Sequence, residues 1–205
     1  MSDELRRYYD LRAAEFDRMY FDHPEEYLRE GEALGREIEE FARGKRILEL
    51  ACGTGHWTAR AARTAVSVLA TDVSEPMLAH ARGRGLPANV EIRLADAFDP
   101  PAGDFDGVLA IYWLSHVPRA QLREFLSRLR GALFFADNVY VEGEGGQLVE
   151  GAADTYKRRK LQDGSEHLVL KNYFDLEQLR ELLPGADVRA GQWIWRALLA
   201  YPVLR

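Results

Sequence analysis

The chain has one cysteine, Cys52, among its 205 residues. A single thiol excludes an internal disulfide and fits a reducing compartment, where its expected role is small apolar filler. No His/Cys cluster has metal-ligand spacing, so no metal site is expected. No apolar run approaches the roughly 18 residues that a membrane-crossing helix requires. The first residues, Met1-Ser2-Asp3-Glu4-Leu5-Arg6-Arg7, carry no apolar core of the secretory kind, and a cytoplasmic location is the expectation. Positive charge is also in deficit. Lys and Arg number 27 against 33 Asp and Glu, a formal net charge of −6. That argues against a general polyanion-binding surface while leaving room for a local basic groove. Finally, the chain has no G-x-x-x-x-G-K-[ST] phosphate loop, and its G-x-G turn departs from the dinucleotide fingerprint because Thr58 stands at the third glycine position.

What is present begins with Ile47-Leu48-Glu49-Leu50-Ala51-Cys52-Gly53-Thr54-Gly55, a short apolar run breaking into a glycine turn. The run has the length of a buried strand, and the glycines let the backbone turn sharply and approach a ligand. Residues 57–63 are helix-compatible, and a strand, a glycine turn and a helix start form a cradle for a nucleotide-like molecule. Asp72 ends the next apolar run, 17 residues past Gly55, where a doubly wound sheet places a carboxylate for ribose hydroxyls. Glu49 would repel a pyrophosphate but suits a ligand carrying an ammonium group. Taken singly, the turn could be a plain β-α connection, and each acid a helix cap or a solvated loop residue.

The stretch Glu49 to Gly55 resembles motif I of the class I S-adenosylmethionine-dependent methyltransferases. Asp72 in Ala70-Thr71-Asp72-Val73-Ser74 is similar to that family's ribose-binding acid. Asp96-Ala97, after Val90-Glu91-Ile92-Arg93-Leu94, is similar to its adenine-binding step, and 105–111 to its fourth strand. Ala51 replaces the family's more frequent glycine, a variant expected to need only ordinary backbone angles. The resemblance implies an α/β, doubly wound, Rossmann-like fold: a mostly parallel seven-stranded sheet, helices on both faces and an N-terminal helical lid. It implies S-adenosyl-L-methionine as cofactor. Glu49 would orient its amino group, Ala51, Gly53 and Gly55 would admit the backbone, and Asp72 with Val73 would take the ribose. Asp96 and Ala97 would read adenine, with Met77 and Phe98 on its two faces and Ile111 nearby. Met77 could equally be helix–sheet core.

On the acceptor side, Ile111-Tyr112-Trp113-Leu114-Ser115-His116 follows the fourth strand and belongs at the carboxyl edge of the sheet, where such folds hold ligands. His116 is the candidate general base, because its ordinary pKa is near neutral; its alternative is loop packing before Pro118. Tyr8, Tyr20 and Tyr112 are candidate acceptor contacts. Tyr9 and Tyr20 fall on the helical core stripe, whereas Tyr8 lies off it and is expected to be freer. The basic run Tyr156-Lys157-Arg158-Arg159-Lys160, read as a strand, puts Arg158 and Lys160 on one face and Lys157 and Arg159 on the other. It is either a charged, solvated edge or, through Arg158, a site for an anionic group on the acceptor. Trp193 and Trp195 share a strand face, for packing or for lining a pocket.

The remaining chain supplies the alternation. Residues 1–43 read as two helices. The first carries Leu5, Tyr9, Ala13, Phe16 and Tyr20 on one face, and the second starts from an acidic cap at Asp22 with Pro24 in its first turn. Strands follow at 45–51, 66–71, 90–95, 105–112 and 132–140, and helices at 57–64, 75–83 and 119–130. Within 141–173, Asp163-Gly164 signals a hairpin that could cover the acceptor. Asp175 opens another helix, and two strands, 186–190 and 192–200, close the pattern. With 47% hydrophobic residues and no linker or repeat, 1–205 reads as one domain.

Three functions stay open. The first is methyl transfer to a small molecule. The second is methylation of nucleic acid, disfavoured because Ala110-Ile111-Tyr112-Trp113 stands where base-amine enzymes carry Asn/Asp-Pro-Pro-Tyr/Phe. The third is a non-catalytic cofactor-binding protein. No membrane partner is expected, and oligomeric state is not readable. Replacing Asp72 by Ala is predicted to weaken S-adenosylhomocysteine binding at least tenfold by calorimetry; unchanged affinity would remove its ribose assignment.

Overall fold

The computed structural model describes residues 2–200. A seven-stranded sheet forms the centre. It comprises β1 (Arg46–Leu50), β2 (Ser67–Asp72), β3 (Val90–Leu94), β4 (Gly107–Ile111), β5 (Ala132–Asn138), β9 (Asp187–Ala190) and β10 (Ile194–Leu199). Its order is β3-β2-β1-β4-β5-β10-β9. The first five strands run parallel, while β10 lies antiparallel to both β5 and β9. Strand order reverses between β1 and β4, and that switch point opens a crevice at the carboxyl ends of the strands.

Alternation along β1 divides the core. Leu48 and Leu50 face one cluster with Phe125 and Leu126 of α5 (Leu122–Ser127) and Leu179 of α6 (Leu176–Leu182). Ile47 faces the other, with Leu34 and Ile38 of α2 (Glu25–Ala42), Trp57 of α3 (His56–Ala61) and Leu78 of α4 (Glu75–Gly83). A period of two in the strand thus meets a period near four in the helices. Leu122, Phe125, Leu126 and Leu129 form the buried stripe that their spacing predicts. The capping box of Asp175 and Gln178 at the start of α6 is also present.

Several local expectations are corrected. The first helix is not continuous. The α-helix α1 (Asp3–Arg12) tightens into a 3₁₀ segment, Ala13–Tyr20, so one stripe at α-helical spacing does not run through both. The N-cap of α2 is Pro24, and no side chain caps it. Ala51 is left-handed, with φ 52°, against the expectation of ordinary angles. That conformation costs a non-glycine residue about 1–2 kcal/mol. The hairpin signalled by Asp163-Gly164 does form, from β7 (Thr155–Lys160) and β8 (Glu166–Leu170), and β6 (Gln147–Glu150) pairs with β7 to extend it into a second, three-stranded antiparallel sheet.

This small sheet is fastened to the loop after β4 and to the end of β5. Just past β8, Lys171 Nζ donates to Asp137 Oδ1 (2.6 Å), Ser115 Oγ (2.9 Å) and Asn138 Oδ1 (3.1 Å). Both ion-pair partners are buried, at 3% and 1% side-chain exposure. Asn172 adds bonds to Val117 O and to Asp154, and its Oδ1 accepts from the Thr155 N–H. Removing one member of a buried pair strands the other charge, which typically costs about 3–5 kcal/mol. Lys171→Met is therefore predicted to lower unfolding free energy by about that much in urea melts at pH 7. A loss under about 1 kcal/mol would show the fastening to be dispensable.

Candidate functional site

The glycine turn is shaped by backbone angles. Gly53 and Gly55 have φ of 55° and 79°, and Gly55 forms the N-cap of α3. A Cβ on Gly55 would also lie 3.3 Å from the Ala81 side chain, so this glycine packs the turn against α4. Asp72, at the end of β2, bridges two loops: Oδ2 accepts from Gly53 N and Oδ1 from Ser74 N, each at 2.9 Å. Ser74 in turn caps α4 through the Met77 N–H. The next parallel strand ends in a similar turn, with Asp96 Oδ1 accepting from Phe98 N.

These turns open into one cavity. Glu49, Ala51, Gly53, Asp72, Val73, Met77, Asp96, Ala97 and Ile111 all line it. Two expected members do not reach it. Gly55 is occupied with helix capping, and Phe98 turns away to pack edge-to-face on Trp113 and Phe125. Glu49 is the most perturbed acid here. Its carboxyl is buried, and Oε2 has no hydrogen-bond partner among the described residues. Burial, with the Asp72 charge adding to it, pushes its pKa up to about 8. Asp72 is raised too, again by burial, against the pull of its backbone hydrogen bonds.

The N-terminal segment closes over this cavity. Tyr9, Arg12, Phe16 and Tyr20 form its roof. The Tyr20 ring stacks on His56 at 3.8 Å between centroids, which keeps His56 outside the cavity. Asp17 bonds both Thr54 in the glycine turn and Arg84, whose Nε donates to Thr54 O at 2.7 Å. The roof is thus tied directly to the cradle.

The far wall holds the acceptor candidates. Tyr112, left-handed at φ 59°, lines the cavity and shares a hydrogen bond with the Tyr27 hydroxyl at 3.1 Å. His116 lies beside it, with Nδ1 2.5 Å from Leu170 O and Nε2 2.8 Å from the Tyr9 hydroxyl. Burial, reinforced by the Lys171 charge, lowers its pKa to about 3. The imidazole is neutral at physiological pH.

The other two acceptor candidates sit differently from expectation. Tyr8 is not free: it is 2% exposed and packs with Leu5, Leu161 and Val169, and it borders an outer cavity, while Tyr9 lines the inner one. Arg158 points to the exterior and faces Glu166 at 3.9 Å. The inward face of β7 carries Lys157 and Arg159. Lys157 Nζ donates to the carbonyls of Glu144 and Gly146, and Arg159 enters the cavity. Sequence parity identified this pair of faces, but nothing in it said which one turns inward. Arg12 and Arg159 also line an adjoining outer cavity of about 490 Å³. Trp193 borders that outer space, whereas Trp195 is core. Arg159 Nε has no hydrogen-bond partner, and neither guanidinium has an ion pair, among the described residues. No group of His, Cys, Asp and Glu among them could hold a metal, and no helix is long and apolar enough to cross a membrane.

Comparison with known proteins agrees with this geometry. A family model described as a methyltransferase domain matches residues 47–134. DhpI, solved in complex with SAH, superposes with a TM-score of 0.78 at 30% identity, covering 100% of both chains. The DhpI-SAM-HEP complex gives 0.76 at 30% identity, over 97% of this chain and 98% of that one. Among curated proteins, the O-methyltransferase cnsE of Penicillium expansum is 39% identical over 97 residues, 42% of this chain and 35% of that protein. Demethylmenaquinone methyltransferase of Clavibacter sepedonicus is 42% identical over 92 residues, 42% of this chain and 38% of that protein. The matches span less than half the length of these curated relatives.

The raised Glu49 pKa makes a sign-definite prediction. Below pH 8 the free protein carries a proton on this carboxyl, and a ligand ammonium placed against it would expel that proton. S-adenosylhomocysteine affinity should therefore rise with pH up to about 8, by at most roughly tenfold per unit, with proton release visible by calorimetry in two buffers. In Glu49→Gln the slope should vanish; a slope that persists would place the titration elsewhere.

Proposed function

Since this chain belongs to the class I S-adenosylmethionine-dependent methyltransferases, we propose that it transfers the methyl group of S-adenosyl-L-methionine to a small-molecule acceptor bearing an anionic group. The fit to the cofactor rests on the cavity itself. A buried carboxylate oxygen without a partner suits an ammonium, Asp72 and Asp96 stand on successive strand ends, and Met77 and Ile111 supply apolar wall. Glu49, Asp72 and Asp96 would hold it, and it would supply an electrophilic methyl group. Positioning the acceptor against that methyl supplies much of the rate.

The observation that carries the acceptor class is the pair Arg12 and Arg159. Two guanidiniums with no ion pair among the described residues line both the inner cavity and the outer one. A carboxylate or phosphate group would satisfy both. We assign His116, Tyr20 and Tyr112 to the acceptor side and replace Arg158 by Arg159. The chain is taken as one domain, 1–205, with 1–43 as lid and 141–173 as acceptor cover. The roofed cavity and the acidic net charge support a small acceptor over nucleic acid, with bulk tRNA in a filter-binding assay as the control.

The test is methyl transfer from labelled donor to a panel of hydroxycarboxylic acids and phosphate monoesters, against uncharged alcohols. Turnover confined to the anionic members is expected. Arg159→Ala should raise KM for the acceptor roughly 10- to 100-fold, the value of a charge-assisted hydrogen bond, and leave S-adenosylhomocysteine affinity unchanged. Arg158→Ala should stay within about twofold, as a rim ion pair allows. Equal turnover of neutral alcohols would refute the anionic class.

A further inference from the structure

The hydrogen bonds around His116 have a direction. A carbonyl oxygen only accepts, so the contact with Leu170 O places the ring proton on Nδ1. The neutral imidazole then keeps a lone pair on Nε2, and the Tyr9 hydroxyl 2.8 Å away donates to it. Tyr9 has one proton, and it points at His116. Toward the cavity that it lines, its oxygen offers lone pairs alone. A group seated against that oxygen must bring its own proton. An ionised oxygen would be repelled there and attracted instead to Arg12 and Arg159.

We propose that Tyr9 is a catalytic residue whose oxygen receives the proton of an acceptor hydroxyl while its own proton passes to His116 Nε2. This rests on the methyl-transfer reading above. With the donor bound, an electron pair of the acceptor oxygen forms the new C–O bond as the C–S pair returns to sulfur. The acceptor's proton leaves to Tyr9 Oη, the Tyr9 proton forms the Nε2–H bond, and Nδ1–H stays on the Leu170 carbonyl. One positive charge leaves sulfur and one arises on the imidazole, so the net charge of the closed cavity is unchanged; solvent takes the proton when the lid opens. Tyr9 and Trp113 lie against the ring, and the charges of Lys171, Asp137 and Arg159 act on it. Asp137 favours the charged ring, and Lys171 and Arg159 oppose it. An acceptor anion held on Arg159 would offset that opposition.

The test has two arms. In ¹⁵N-histidine-labelled protein with S-adenosylhomocysteine bound, the His116 signals, assigned by loss in His116→Asn, should show a protonated Nδ1 and an unprotonated Nε2. The Nε2 signal should move in Tyr9→Phe, which keeps the ring packing. In the second arm, Tyr9→Phe should lower kcat on the hydroxylated acceptor at least 100-fold, within the range for lost acid–base catalysis. KM for the donor and S-adenosylhomocysteine affinity should hold within twofold. The double variant should be no slower than the slower single, as expected of residues acting as a unit. A protonated Nε2, a kcat loss under threefold, or multiplying effects would overturn the assignment while leaving the acceptor class intact. No turnover of any panel member would overturn the acceptor class and this assignment together.

Discussion

The buried pair of Lys171 and Asp137 is the contact on which the rest of the site depends. It joins the small sheet to the carboxyl end of β5, and Lys171 itself and Asn138, next to Asp137, line the cavity. Burial alone would raise the Asp137 pKa; the Lys171 ammonium outweighs it and holds the carboxylate below its ordinary value. The Asp137 carboxylate also accepts from the backbone N–H groups of Ser115 and Asn138, which fixes the loop before His116. Burial keeps the imidazole neutral, and the ammonium adds to that effect. One ion pair therefore ties the small sheet to β5 and fixes the path of the loop before His116. Its desolvation cost is tolerable because all three ammonium protons and both carboxylate oxygens have partners.

Much of the scaffold was legible because it depends on local patterns. The apolar runs at 47–50, 67–71 and 107–111 are buried strands whichever molecule they serve, and the glycine turn announces itself through residue types that tolerate positive φ. The acids at 49, 72 and 96 follow strands, so their convergence follows once the sheet is parallel. Failures lie where a single rule met a second influence. Helical spacing freed Tyr8, but Tyr8 finds its partners in His167 and Val169 of β8 and in Leu161 just past β7, and Tyr9, packed as its spacing implied, also reaches the cavity. Alternation divided the basic run correctly into two faces, yet the choice between them was made by a tertiary contact that sequence does not display: the Lys157 ammonium satisfying carbonyls of the glycine-rich loop. Ala51 shows the same limit on backbone angles, since alanine is tolerated in a left-handed turn once the parallel pairing of β1 and β2 and the bond from Cys52 N to Thr71 O dictate it.

The electrostatics of the cavity follow from this arrangement. One end has Glu49, Asp72 and Asp96; the other has Arg12, Arg159 and Lys171. A cationic donor would be held by the acids. On the proposed reading, the acceptor would approach the donor beside two guanidiniums that have no ion pair among the described residues, and a neutral molecule would leave those charges without compensation. An anionic group would remove that cost and anchor the acceptor. The same charge lies close enough to His116 to oppose the influence that depresses its basicity, because Arg159 and Lys171 are among the groups that lower it. On the proposed mechanism, recognition and proton removal would not be separate devices: the group selected by the arginines would also ready the imidazole for the proton that Tyr9 passes on.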